Sequence, residues 1–543
     1  MKKLGAVFLC VLVMGLVGQT AQATSGSSKG DQSQSRWSLA GRMLKAQAPK
    51  RSAAPSGFLP SEIECTVNGR PDNLNLDCDD PVFEAPNNEP DIEVDPQDPN
   101  HMIASSNDYE SCCDQFYTTF DGGRTWTTGD MSAEDPNRIG SDPVTVFDPV
   151  SGNAIHASLN FLITEDGLAD DGDVVVSLSE DGGLTWGDPV VVGPGLGDDD
   201  DPLQIFNDKE WIVTDTNPES PYYGRTYLTW TAFRSETGVY AESPIIEAHS
   251  DDGGETWTDP QEISGSDRTC TYQETGAARE CDEDQFSVPT VAPDGTLSVA
   301  FENGQHEAAW EGDELFESQY MVVQSTDGGE SFSSPESVVD LEDGSADYPL
   351  NVNDRQTLTD YQIRVNSAGN IVASPIDGKL YLVFSDNRAG RHDVRRPVTN
   401  TNVYMMTSRD GEHWRGPLRV NTGPADQWFP WVEVNPVNGK VGVIYHDRLE
   451  REGRVYDTSL SEGRPGNFEY DVISNERSHP NNSLYFRARV DECRKCATFH
   501  GDYIGIDYGS DGKANLVWTD MRRFIDLGKG ARGYTENIFF SQR

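Results

Sequence analysis

Three arginines, two histidines, two aspartates and a tyrosine in the last third of the chain have the types and spacing that chemistry on an anionic substrate needs. Arg388, Arg448 and Arg522 each stand one or two residues after an aspartate (Asp386, Asp447, Asp520) at the end of an apolar run. Guanidinium forks bind carboxylates through paired hydrogen bonds, so three of them converging would clamp an acidic group. Asp447 and Asp520 are the candidate acid/base pair beside that clamp. His446 and Tyr503 are candidate bases for taking a proton next to a held carboxylate, and His500 is a candidate substrate contact.

A second set of acids recurs through the whole chain. Glu89, Asp142, Asp208, Asp284, Asp360, Asp426 and Asp502 each open an apolar, β-rich run, as in Asp142–Phe147 or Asp208–Val213. Seven carboxylates around one opening would repel one another unless cations or arginines offset them. The six aspartates are therefore candidate ligands for a hard cation such as Ca²⁺, with mutual stapling of neighbouring units as the structural alternative.

The elements that must position these residues follow from a repeat. Thr119–Trp126, Ser179–Trp186, Ser250–Trp257 and Ser325–Phe332 share the pattern Ser/Thr-x-Asp-Gly-Gly-x-Thr/Ser-aromatic. Ser408–Trp414 is one residue short, and Ser461–Phe468 is a decayed form. The Asp can accept bonds from turn N–H groups, the glycines supply positive φ, and the aromatic starts the next strand. Apolar runs before and after each copy make it a hairpin between antiparallel strands. Reading backward from the turns gives seven units, the fifth being Asp360–Val365 then Lys379–Phe384. The seventh ends near Ser541, one strand short.

This repeat resembles the Asp box, or BNR repeat, of sialidase-like β-propellers, over nearly the whole chain after its leader. The resemblance implies an all-β, seven-bladed β-propeller, in which the Asp box joins the third and fourth strands opposite the working face. It also implies a glycan or polysaccharide ligand, and a glycoside hydrolase acting on anionic sugars as the leading activity. A polysaccharide lyase and a non-catalytic binding propeller are the alternatives. The family's catalytic set does not carry over. True sialidases have six blades, and their first arginine lies in a Phe/Tyr-Arg-Ile-Pro string before the first box. No such string precedes Thr119, and Tyr485–Arg489 is the nearest look-alike.

Residues 1–23 read as a signal peptide. Lys2 and Lys3 precede the apolar run Leu4–Gly18, and Ala21–Ala23 is a small-x-small cleavage site. Residues 24–56 are basic and low in apolar residues, a flexible leader. Residues 57–543 form the single propeller, secreted to the extracellular space or periplasm and expected as a monomer. No later run is long and apolar enough for a transmembrane helix. The net charge of -49 excludes nucleic acid as a partner, because phosphate backbones would be repelled.

Eight of the nine cysteines lie beyond the leader, an even number that reads as disulfides in an exported chain. Cys65 with Cys78, and Cys270 with Cys281, are spaced for local bridges. Cys112, Cys113, Cys493 and Cys496 either form two local bridges or cross-link blades one and seven. An open ring would leave strand edges unpaired. The missing strand of blade seven is therefore expected from residues 57–80, with Glu62–Val67 as the strand.

Overall fold

The computed structural model describes residues 63–543, apart from 79–85, 110–112, 134–137, 164–168, 198–202, 272–277, 307–316, 345, 351–354, 362, 450–453, 485–498 and 527–531. The leader, Tyr485–Arg489 and the pairing of Cys112, Cys113, Cys493 and Cys496 lie outside the described residues.

Seven antiparallel sheets follow one another along the chain, each built outward from an innermost strand. The innermost strands are Asn87–Val94, Arg138–Phe147, Leu203–Thr214, Asp284–Val291, Ile371–Ala373, Gln427–Val434 and Gly505–Tyr508. Each packs on the next, and the seventh packs on the first, so the ring closes. Alternating Val, Ile, Leu and aromatic side chains from neighbouring sheets fill the space between blades. One continuous apolar layer runs from Val144 through Trp211, Trp230 and Trp431 to Trp518.

The repeated Asp turns join the third and fourth strands, as in Cys113–Thr119 and Thr125–Asp130. In the first copy the Asp121 carboxylate accepts from the N–H groups of Arg124 (3.0 Å) and Thr125 (2.8 Å). The Gly123 N–H donates to Thr119 Oγ1, and Trp126 Nε1 donates to the Gly123 carbonyl. Gly123 sits at φ +80°, and an added Cβ there would collide with the Phe540 ring of blade seven. The decayed sixth copy keeps a hairpin, between strands Asp457–Arg464 and Asn467–Val472.

Closure comes from the N-terminal segment, but not through the strand expected. Asp72–Asn75 pairs with the C-terminal strand Asn537–Gln542 and completes blade seven. The strand Ile63–Asn68, which contains most of Glu62–Val67, instead adds a fifth strand to the outer edge of blade one. The chain turns at Gly69–Pro71 and crosses between the two blades. The Cys65–Cys78 disulfide ties the two arms together, and Cys270–Cys281 forms the second bridge expected.

The fifth unit also differs from its sequence reading. Its innermost strand is Ile371–Ala373, and the described residues among 360–365 lie in a loop held by an isolated bridge between Thr357 and Arg364. Asp360 is thus not on an innermost strand.

Closure depends on a few buried contacts. Leu76 is fully buried, and its N–H donates to the Ile538 carbonyl at 2.9 Å. Leu76→Ala is expected to cost about 2–5 kcal/mol in urea unfolding. Thr66→Ala, on the exposed edge strand, should stay within about 0.5 kcal/mol. Equal effects would show that the two strands do not differ in importance.

Candidate active site at the channel mouth

Five innermost strands carry the same irregularity. In blade one, Asn88 faces Asn107 and Asp91 faces Ser105, so Glu89 and Pro90 together oppose one residue. The same two-against-one bulge occurs at Asp142, Lys209, Phe286 and Phe429. The first bulged residue has positive φ each time: Glu89 +56°, Asp142 +60°, Lys209 +53°, Phe286 +59° and Phe429 +52°. A bulge re-aims its side chain, and such backbone strain concentrates at functional sites.

This register corrects the ring of seven acids. Only Glu89 and Asp142 occupy the bulge. Asp208 and Asp284 fall one and two positions before it, and Asp426 precedes its strand. Asp502 lies just before Gly505–Tyr508, on the same mouth.

The bulges of blades one to three bring Glu89, Asp142 and Lys209 together, with Asp208, Glu210, Asp502 and Tyr503 around them. The Glu89 carboxyl hydrogen-bonds to that of Asp142. Asn107 donates to Glu89 Oε2 (2.5 Å) and accepts from the Asp142 N–H (2.7 Å), while Ser141 Oγ donates to Asp142 (2.7 Å). Burial, then the charges of Asp142 and Asp502, push the Glu89 carboxyl well above the usual range. Burial and the same two neighbours push Asp208 up to about 8. Lys209 lies over the ring faces of Tyr503 (3.9 Å) and Trp211 (4.1 Å). Burial lowers its ammonium pKa against the opposing pull of Asp142, Glu210, Glu89 and Asp502. Arg364 comes from the loop that replaces the expected fifth strand, and pairs with Asp502, which also accepts from Asn366 (3.0 Å). Sequence reasoning missed Lys209, Glu210 and Arg364. The Lys-Glu pair inside the apolar run Phe206–Val213 was the available signal for the first two.

The expected arginine clamp is not assembled by these contacts. Arg388 makes paired bonds to Asp386 and lies over the Phe384 and Tyr404 rings. Arg448 bonds to Asp426 (3.2 Å) and the Thr359 carbonyl (2.8 Å), over Tyr361. Arg522 makes paired bonds to Asp520, over Phe539. Asp447 accepts from Gln427, Tyr470 and Ser459. His446 and His500 do come together, stacked with centroids 5.1 Å apart. Both are buried. Burial, joined by the neighbouring His500, holds His446 far below its ordinary pKa. Burial and the Arg364 charge lower His500 to about 3. His500 Nδ1 faces the Tyr456 hydroxyl, and its Nε2 accepts from Trp428. Tyr503 is buried beneath Lys209, with its hydroxyl pKa raised by burial first.

Among the described residues one group, Glu342, Asp347 and His392, brings three metal-type donor atoms close together. It does not include any of the six candidate aspartates. No described helix is long and apolar enough to cross a membrane.

Two outcomes follow. Arg448→Ala leaves Asp426 buried without its guanidinium and should cost about 3–5 kcal/mol in stability; a change under about 1 kcal/mol would contradict this pairing. Asp208 has a raised folded-state pKa, so the folded state holds more protons than the unfolded one between about pH 4 and 8, and stability falls as pH rises through that window. Asp208→Asn should therefore gain stability relative to the parent between pH 5 and pH 8. Parallel pH profiles in urea titrations would rule out the shift.

No family model matches this chain, and no curated protein matches it. Among solved structures, a Hadza microbial sialidase is 13% identical, with a TM-score of 0.41, over 91% of this chain and 98% of that one. The NanB sialidase of Streptococcus pneumoniae is 10% identical, with a TM-score of 0.39, over 81% and 83%. The GH93 α-L-arabinofuranosidase of Fusarium graminearum is 12% identical, with a TM-score of 0.44, over 75% and 98%. The chain is thus similar at low identity to sialidase and arabinan-degrading β-propellers.

Proposed function

We propose that the protein is an exported glycoside hydrolase whose acid/base chemistry sits at the channel mouth. The hydrogen-bonded Glu89–Asp142 carboxyl pair carries this reading. Glycosidic bond hydrolysis needs one carboxylic acid that still holds a proton at working pH and a second carboxylate to receive one. Glu89 supplies the first and donates to the leaving oxygen. Asp142, in hydrogen-bond contact with Glu89, orients that acid and shares its proton; the carboxylate that takes the proton of the attacking water stands farther across the mouth, at roughly 6.5–9.5 Å from the acid. The charge that Glu89 gains is offset by Lys209 and Arg364, which already act on it or its neighbours.

This reading keeps glycan hydrolysis and moves its general acid from Asp447 and Asp520 to Glu89 of blade one. Carboxylates and a guanidinium already engage Arg388, Arg448, Arg522 and Asp520, which favours structural roles for them. Two disulfides favour an oxidising compartment outside the cytoplasm.

The test is release of reducing ends from a broad glycan panel. Glu89→Gln should lower turnover by about 10²–10⁴-fold, the range for losing a general acid, and Asp142→Asn should lower it by about tenfold or more, neither lowering the thermal midpoint. Wild-type protein that cleaves no glycan, or variants that keep full turnover, would defeat the proposal.

A further inference from the structure

We infer that the sugar taken at this mouth is uncharged and hydroxyl-rich, and not a sialic acid, a uronate or an amino sugar. The inference rests on the glycan-hydrolase reading above and names its substrate class.

The mouth and its floor contain buried polar atoms of both kinds that have no partner among the described residues. The donors are Lys209 Nζ and the Tyr503 hydroxyl. The acceptors are both carboxyl oxygens of Glu210 and Glu302 Oε1. All four side chains belong to residues no more than 5% exposed. Electrostatics ties them to one place. Lys209 acts on Asp142, Glu89 and Asp502, Glu210 on Asp142, and Glu302 on Asp502. A buried polar atom left unpaired is costly, so the set calls for groups that both donate and accept. A hydroxyl does both, whereas a carboxylate only accepts and an ammonium only donates.

Charge points the same way. An anionic sugar would set its carboxylate beside Asp142, whose charge already raises Glu89, Asp208 and Glu210. Its natural partners, Arg388, Arg448 and Arg522, are held by Asp386, Asp426 and Asp520. A neutral polyol meets no such repulsion. Phe286, at the same bulge position in blade four, lies 5.2 Å from Lys209 Nζ and adds an apolar wall.

Calorimetry tests this with uncharged arabino-, xylo-, manno- and cello-oligosaccharides against 3′-sialyllactose, oligogalacturonate and glucosamine oligomers, at low and high salt. One uncharged series should bind at least about tenfold more tightly than every charged probe, with affinity independent of salt. Lys209→Met keeps the stem over Tyr503 and should weaken that binding about tenfold. Tyr503→Phe removes one hydroxyl, keeps the ring and gives a second reading if Lys209→Met fails to fold. Tighter binding of a charged probe overturns the inference and leaves the hydrolase reading standing. So does full affinity in a folded Lys209→Met or Tyr503→Phe protein. No binding by any probe, together with no turnover, overturns both.

Discussion

A carboxylate taken out of water must find a donor, a cation or a proton, and this acidic chain meets that requirement in a different way at each place. Asp386, Asp426 and Asp520 each hold an arginine. Asp447 takes three neutral donors, and Asp284 accepts from Asn303 at 2.6 Å. At the mouth the supply runs short. Lys209 and Arg364 face Glu89, Asp142, Asp208, Glu210 and Asp502, and burial shifts Glu89, Asp208 and Glu210 toward the protonated form. That shortage is why the carboxyls at the mouth titrate above their ordinary range. A fully paired cluster would be a staple, as it is around Asp426.

The bulges decide which residues enter this environment. Without the extra residue, strict alternation would send the side chain after Asn88 or Ser141 to the opposite face of its sheet. With it, five blades present one side chain each at an equivalent place. Glu89, Asp142 and Lys209 make three consecutive blades polar, while Phe286 and Phe429 make blades four and six apolar. A repeated backbone device thereby yields an asymmetric site from a nearly symmetric ring.

The fold was largely legible because the turn motif states its own geometry. Asp as acceptor, Gly at positive φ and an aromatic beneath the turn leave few alternatives, and the strand pairs read backward from the turns give the blade count. Closure was legible as a need, since blade seven lacked a strand. The identity of that strand was not, because Ile63–Asn68 reads as the better strand while Asp72–Asn75 is short and polar. Blade one's free outer edge takes the former and leaves the latter for blade seven. The site was legible in part. Glu89, Asp142, Asp208, Asp502 and Tyr503 were marked, but a two-residue bulge does not show in an apolar pattern, so the acids appeared aligned where they are not. Arg364 was hidden for a related reason: Asp360–Val365 has strand composition, yet its described residues lie in the loop over the mouth.

The same residue type titrates in opposite directions at the two ends of a blade. Register puts the Asp turns at one end, since Asn87 pairs with Asp108 and Met102 with Thr119, and the bulges at the other. At the turns, backbone N–H groups hold the carboxylate ionised. Asp410, bonded first by the His413 N–H, is pulled down to about 2. At the mouth, burial dominates and raises Asp208 to about 8. A turn must stay in one conformation, and a permanent charge with fixed donors does that. An acid/base must change its charge, and a carboxyl with few partners is suited to that. The ring thereby keeps ionised carboxylates in its hairpin turns at one end and carboxyls of raised pKa at the other.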